Sequence, residues 1–343
     1  MDRHTVTSSP RGSGPTTLVI GAGGRHGGTG SHVVRRLREH EHAVRVLVRV
    51  VDERAQRLRA LGAHIVVGDL LDHRTLDAAV RDVDTVYFTY PVAPGIVQAA
   101  AGLAAAIRRA ATSPRVVVMS MAVSASDSPS GLGRAQWVAE EVLSWAGLEP
   151  TILRIAALFY ENIVLLHAES IRRTGDFANS FGDAAVPWIS GRDAADLAVA
   201  ALADPIRYPR GATLYPQAAT AHSHAEIATL IGAEIGAPVH YTPVSAAQWQ
   251  REMIDLAPNG TGSPINPAMA QHISAIGATF SRLPSAAPID PTALAEAIGH
   301  PEQTFTEFLR EYRHHFVAAP VHRSHGDAAV AGGIRGGLVS TSE

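Results

Sequence analysis

The first half of the chain alternates short apolar runs with longer amphipathic stretches. The apolar runs are rich in valine and isoleucine, which favours buried strands, and they cover 17–20, 43–48, 65–67, 85–88, 115–119 and 150–155. The stretches between them show helical spacing, as at Val33, Val34 and Leu37. Strands that alternate with helices predict an α/β fold with a doubly wound parallel sheet, because crossovers between parallel strands are right-handed.

Helical patterns dominate the second half. They predict helices at about 162–173, 193–203, 224–235, 246–256 and 304–316, with short strands near 214 and 240 that are candidates to join the sheet. We therefore predict a Rossmann domain at 16–158 and a smaller, mainly helical substrate lobe at 159–318. The ends lack periodicity, so we expect a disordered lead-in at 1–15 and a disordered tail at 319–343.

Composition excludes several chemistries. The 343 residues include no cysteine and no lysine, which removes disulfides, cysteine nucleophiles, lysine Schiff bases and the Tyr-x-x-x-Lys pair of many reductases. The net charge of −3 gives no electrostatic case for a nucleic-acid partner. The longest apolar stretch, 95–107, is too short to span a membrane, since a spanning helix needs about 20 residues. We expect a cytoplasmic protein.

A glycine cluster between the first strand and the first helix is the strongest motif. The segment VIGAGGRHGGTG begins at Val19, and glycines there allow a pyrophosphate to approach the backbone and the start of a helix. Two registers fit: one begins at Gly21 and the other ends at Gly30. The candidate cofactor-binding residues of this loop are Gly21, Gly24, Arg25, Gly27, Thr29 and Gly30.

The end of the second strand bears on the choice of cofactor. Arg49 stands where NAD-binding proteins usually place an acidic residue, and a guanidinium suits a 2′-phosphate. Asp52 and Glu53 follow closely and weaken this argument. We favour NADP(H) over NAD(H), with Arg25 or Arg45 as the alternative phosphate partners.

The ends of later strands supply further candidates, because ligands of this fold bind at the carboxyl ends. Asp69 and Leu70 are placed to flank the adenine, although Asp69 also suits a helix cap. The fourth strand contributes candidates for the nicotinamide ribose, with one of Tyr87 and Tyr90 expected in the core; these candidates are Thr89, Tyr90 and Pro91. Ser120 ends the fifth strand and is a candidate for contact with nicotinamide or substrate.

The 17 histidines do not form a recognisable metal motif. His-Glu-x-x-His is missing, and the adjacent pair His314 and His315 points in different directions on a helix. We expect no metal site.

Together these motifs resemble the NmrA-like family of atypical short-chain dehydrogenase/reductases. The resemblance rests on LVIGAGG with TGSHVVRRL, VRVLVR, LGAHIVVGDLLD, VDTVYFTYP, GLGRAQWVAEEVLSWAGLEPTILR, FYEN and TFTEFLREY, and it extends from Thr16 to Phe316. It implies a Rossmann domain with a small C-terminal lobe that binds NADP(H) or NAD(H). Some members look like quinone or carbonyl reductases, and others are redox sensors without turnover.

The chain departs from the family pattern where chemistry is expected. Active members often carry Lys or His on the helix after the fifth strand, and the matching residue here is Gln136, which cannot be a general acid. The resemblance also implies that the substrate pocket lies near Tyr160, Asn162 and Trp188, and Tyr160 is the best remaining proton donor. Gln136, Ser120 and Tyr160 are therefore the candidate catalytic residues.

Two functions follow from these observations. The first is an NAD(P)H-dependent reductase of a small quinone, enone or carbonyl substrate, in which hydride transfer depends mainly on positioning. The second is a non-catalytic dinucleotide sensor that acts through a protein partner. Either would be a monomer or a homodimer.

Overall fold

The central element of the fold is a parallel sheet of seven strands. The computed structural model describes residues 14–23, 28–156, 158–256, 265–283 and 290–317. Within them the strands run in the order β3-β2-β1-β4-β5-β6-β8, with the bounds β1 Thr16–Ile20, β2 Ala43–Val48, β3 His64–Val67, β4 Thr85–Phe88, β5 Arg115–Met121, β6 Thr151–Ala156 and β8 Thr213–Leu214. Every residue of β4 and β5 is buried, as expected for strands covered on both faces.

Helices cover both faces of this sheet and form two separate core layers. One layer includes side chains of α1 Thr29–Glu39, α2 Glu53–Ala60 and α7 Gly191–Ala203. The opposite layer includes side chains of α3 Asp77–Val80, α4 Ile96–Arg109 and α5 Gly131–Trp145. The predicted doubly wound fold is confirmed.

Two elements from beyond residue 158 complete the Rossmann unit. Helix α7 packs on α1, and β8 pairs with the edge of β6 at Leu153–Leu214. Of the two short strands that we considered for the sheet, the one near 214 joins it. The one near 240 does not, because it pairs with another strand of the lobe. The division at residue 158 therefore does not separate the two units cleanly.

The remaining elements form the lobe, which has its own apolar core. The bounds of these elements are α6 Tyr160–Thr174, β7 Asp176–Asn179, α8 His224–Ile235, β9 His240–Pro243, α9 Ala246–Leu256, α10 Pro267–Phe280 and α12 Phe305–Tyr312. Helix α11 Ala293–Ile298 instead packs on α7, and its Leu294 joins the core layer of α1, α2 and α7. Strands β7 and β9 pair in parallel. Helix α8 begins with a capping box between Ser223 and Glu226, which satisfies the free N–H groups of its first turn.

The chain ends lie largely outside this description. The predicted lead-in at 1–15 is described only at residues 14 and 15, and the predicted tail at 319–343 lies entirely outside the described residues. In the part of the chain that is described, no helix combines the length and apolar character needed to cross a membrane.

Candidate functional site

The two ends of the glycine loop bring the first strand and the first helix into close contact. Gly21 has a φ of +86°, and a Cβ there would lie 2.3 Å from Cγ2 of Thr89. A Cβ on Gly30 would lie 2.6 Å from Cα of Ala22 and 2.8 Å from O of Gly21. Only glycine therefore fits at either position. Close packing thus requires both the glycine that begins one predicted register and the glycine that ends the other. Gly24, Arg25 and Gly27 lie outside the described residues.

Helix α1 directs its amino end toward this loop. Gly28 takes a left-handed conformation just before the helix, and the first turn carries no acidic residue, which leaves the positive end of the helix dipole available to an anion. Thr29 is buried and accepts a hydrogen bond of 3.3 Å from the hydroxyl of Tyr87. Tyr87 is fully buried, so it is the one of Tyr87 and Tyr90 that lies in the core. This burial also raises its pKa.

The end of β2 presents positive charge beside the loop. Arg49 is exposed, and within the described chain no hydrogen bond or ion pair engages its guanidinium. Asp52 accepts from N–H of Ala55 at the start of α2 and pairs with Arg54 at 2.7 Å, so its carboxylate is already occupied. Arg54 also donates a 3.0 Å hydrogen bond to O of Gly23.

One sequence-based assignment for an arginine changes here, and one further arginine reaches the loop. Arg54 contacts the glycine loop through Gly23 while its guanidinium stays paired with Asp52. Arg45 lies instead at the far end of its strand and donates to the carbonyls of Ala78, Ala79 and Arg81, so it is not a phosphate partner. Only the fold brings the first turn of α2 to the loop.

The ends of β3 and β4 lie beside Arg49. Burial raises the pKa of Tyr90, and the nearby carboxylate of Asp69 raises it further, whereas Arg49 lowers it. Asp69 accepts from N–H of Leu71 in a turn and does not cap a helix. Leu70 is half-buried against the core, and Pro91 is exposed. With Thr89 against Gly21, these residues occupy the carboxyl edge of the sheet.

Ser120 is fully buried and takes part in a hydrogen-bond network behind this edge. Its hydroxyl donates to Oε1 of Glu140, which also accepts from Ser124 at 2.8 Å. The other oxygen of Glu140 pairs with Arg154 at 2.6 Å, and Arg154 in turn contacts the hydroxyl of Tyr215. The structure therefore engages the Ser120 hydroxyl with protein and does not present it on an open surface.

Gln136 lies one helical turn before Glu140 on the same buried face of α5. Its side chain is 2% exposed, and its amide nitrogen has no hydrogen-bond partner among the described residues. Leaving a buried donor unpaired costs about 1–3 kcal/mol, so this amide has a hydrogen bond to offer an acceptor. A water, a nicotinamide carboxamide and a substrate carbonyl are all chemically suited to accept it.

Tyr160 is packed in the lobe. Its ring lies 5.0 Å from that of Phe305 and 5.3 Å from that of Phe308, measured between centroids, and burial raises its pKa. Asn162 and Trp188, in contrast, line a small cavity that we call the lobe cavity, together with His167, Phe181, His224 and Trp249. Tyr160 is not among the residues that line it.

One cluster of possible metal ligands occurs within the described ranges. Asp193, Asp196 and His300 lie within 4.8 Å of one another. Asp196 already pairs with Arg36 at 2.5 Å and with His300 at 3.0 Å, and Asp193 accepts from N–H of Gln303 at 2.8 Å. Protein donors therefore account for this cluster, and it carries no metal assignment.

Residues 14–309 match the sequence model of the NmrA-like family. The chain belongs to this family. Among curated proteins of similar sequence, NAD(P)H azoreductase of Xenophilus azovorans is 33% identical over an alignment of 317 residues that covers 88% of this chain and 99% of the relative. A (4-alkanoyl-5-oxo-2,5-dihydrofuran-3-yl)methyl phosphate reductase of Streptomyces griseus is 30% identical over 305 residues, with 88% and 99% covered.

A solved structure agrees in fold. The NADPH complex of an NADPH-dependent quinone oxidoreductase from Escherichia coli superposes with a TM-score of 0.71 at 20% identity. The match covers 87% of this chain and 99% of the other. At this identity the comparison supports the shared architecture, and the assignment of site residues rests on the contacts described above.

Proposed function

We propose that this protein is an NADPH-dependent reductase of a small conjugated acceptor. The oxidoreductase class that the sequence predicts is confirmed by its curated relatives, which are named as reductases of similar length. The observation that carries the site is the buried amide of Gln136, which has no partner among the described residues and lies in the second turn of the helix that follows β5.

The residues of this edge fit a dinucleotide. Gly21 and Gly30 allow β1 and α1 to pack closely where no Cβ fits, and the start of α1 offers unpaired N–H groups to a pyrophosphate. Arg49 holds an exposed positive charge beside the loop for a 2′-phosphate, which is the basis for preferring NADPH to NADH. A bound reduced nicotinamide supplies the hydride. Gln136 donates a hydrogen bond that orients either the carboxamide of the nicotinamide or the acceptor.

Because the proposed site has no dedicated proton donor, the acceptor has to be one that can take up a hydride without one. Gln136 cannot release a proton, Ser120 is engaged with Glu140, and the pKa of Tyr160 is raised by burial. A simple ketone needs a proton as its alkoxide forms, whereas a quinone, an activated enone or an azo compound spreads the developing charge by conjugation. The azoreductase and dihydrofuranone-reductase names of the relatives fit conjugated acceptors.

Steady-state oxidation of NADPH tests this function. Loss of NADPH absorbance in the presence of a naphthoquinone or an azo dye, at a rate that depends on acceptor concentration, is the expected result. Tight NADPH binding without turnover of any activated acceptor would support the sensor alternative. The cytoplasmic location and the choice between monomer and homodimer stay predictions.

Replacement of Arg49 should change the choice of cofactor. We expect Arg49→Ala to weaken NADPH by about 1.5–3 kcal/mol, as for loss of a charged hydrogen bond, with little effect on NADH. Dissociation constants for both cofactors, measured by nucleotide fluorescence, check this. Arg45→Ala is not a suitable control because it removes three bonds to α3. Arg59→Ala is the matched control, because it also replaces an exposed arginine and lies on the surface of α2. Equal losses for both cofactors would exclude the role.

Replacement of Gln136 should affect turnover moderately. We expect Gln136→Leu to lower kcat/KM about tenfold, since one neutral hydrogen bond is worth about 1.4 kcal/mol at most. Tyr160→Phe serves as the comparison and should change kcat/KM less than about threefold, because the ring packs between Phe305 and Phe308. A thousandfold fall in Tyr160→Phe would identify it as the proton donor and would refute the acid-free mechanism.

A further inference from the structure

The lobe cavity surrounds an unpaired polar atom with aromatic rings. His224 is 1% exposed, and its Nδ1 has no hydrogen-bond partner in the part of the chain that is described. The ring centroids of Phe181 and Trp188 lie 4.7 Å and 5.4 Å from that of His224. A buried nitrogen that lines a cavity and lacks a protein partner can bind a complementary atom of a water or of a ligand.

The lobe cavity is also uncharged. None of the described residues that line it is an aspartate, a glutamate or an arginine. Burial lowers the pKa of His167 to about 3 and lowers that of His224 as well, and the two rings lie 6.0 Å apart. Both imidazoles are therefore neutral near pH 7, and no charge is available there to balance an ionic ligand.

Protein partners already occupy other polar groups of this wall. Asn179 accepts from Tyr241 at 2.9 Å through Oδ1, so its Nδ2 is the donor that faces Nε2 of His167 at 3.4 Å. The indole N–H of Trp188 donates to O of His222 at 3.2 Å. Nδ1 of His224, in contrast, is a buried atom of the wall that has no partner among the described residues and can bind a ligand atom.

The lobe cavity begins beside the first turn of α6 and has room for one heavy atom. Asn162 lies in the first turn of α6, which follows β6 at the carboxyl edge of the sheet, and the cavity extends from there along α6 to His167. Its free volume of about 20 Å³ holds roughly one water molecule. That is enough for one oxygen or nitrogen atom of an acceptor, with the rest of the molecule outside.

We propose, on the basis of the proposed reductase function, that the lobe cavity receives the heteroatom of a neutral, planar, conjugated acceptor, and that His224 donates a hydrogen bond to it. His224 is then a specificity-determining residue. A carbonyl oxygen or an azo nitrogen satisfies Nδ1, whereas a sulfonate or phosphate there has no counter-charge.

Kinetics with a neutral acceptor test this proposal. Wild-type protein is assayed with NADPH and 1,4-naphthoquinone, alongside His224→Phe, His224→Gln and the control His64→Phe, which replaces an exposed histidine at the start of the edge strand β3. His224→Phe should raise KM about tenfold without changing the NADPH dissociation constant, and His224→Gln should restore part of the loss.

The outcomes separate this proposal from the proposed function. Turnover with an unchanged KM in both His224 variants would overturn the site and leave the reductase function standing. If NADPH binds and no acceptor is reduced, the reductase function fails. Quenching of tryptophan fluorescence by the neutral quinone then decides: a loss of quenching in His224→Phe alone upholds the site, and unchanged quenching overturns it.

Discussion

Gly30→Ala is expected to lower the free energy of unfolding by about 2–3 kcal/mol, the usual cost of overpacking, and to weaken NADPH binding at least about tenfold. The new Cβ would lie 2.6 Å from Cα of Ala22 and 2.8 Å from O of Gly21. These are backbone atoms that cannot rotate away, so the start of α1 must move. Movement there displaces the N–H groups that the pyrophosphate needs. Thermal unfolding and NADPH titration measure the two effects.

Gly23→Ala is the matched control for this substitution. A Cβ at Gly23 would have no described atom within 4 Å, so its free energy of unfolding should stay within about 0.5 kcal/mol of wild type. If Gly30→Ala were as stable as Gly23→Ala and bound NADPH normally, the close packing of strand and helix would not be a requirement of the site.

Glu140→Ala should have the largest effect on stability, about 3–5 kcal/mol, because it leaves a largely buried charge without its partner. Glu140 is 2% exposed, and its two oxygens bind Ser120, Ser124 and Arg154. The side chain of Arg154 is only 16% exposed. Urea denaturation at neutral pH measures the loss.

Two comparisons make this prediction specific to the buried pair. Glu141→Ala removes the neighbouring carboxylate, which makes no ion pair within the described chain, and should cost less than about 0.5 kcal/mol. Glu140→Gln keeps the shape and a hydrogen-bonding group, and it should lie between the two. A Glu140→Ala protein as stable as Glu141→Ala would show that the network contributes nothing.

The sequence by itself predicted the doubly wound sheet and the candidate cofactor end of the site. Strands covered on both faces are continuous apolar runs, so β4 and β5 are visible as such in the chain. The glycine loop lies between β1 and α1, and an arginine follows β2. Both belong to one local unit of strand, turn and helix, so the neighbouring sequence is enough to predict them.

The tertiary structure decided which side chains are available for chemistry. Ser120 and Glu140 are 20 residues apart, and Tyr160 and Phe308 are 148 apart, so no local pattern indicates that these partners engage the candidate hydroxyls. Helix α7 and strand β8 likewise return to the first unit from beyond residue 158. Amphipathic spacing specifies which face of an element is buried, whereas long-range packing alone specifies what that face contacts.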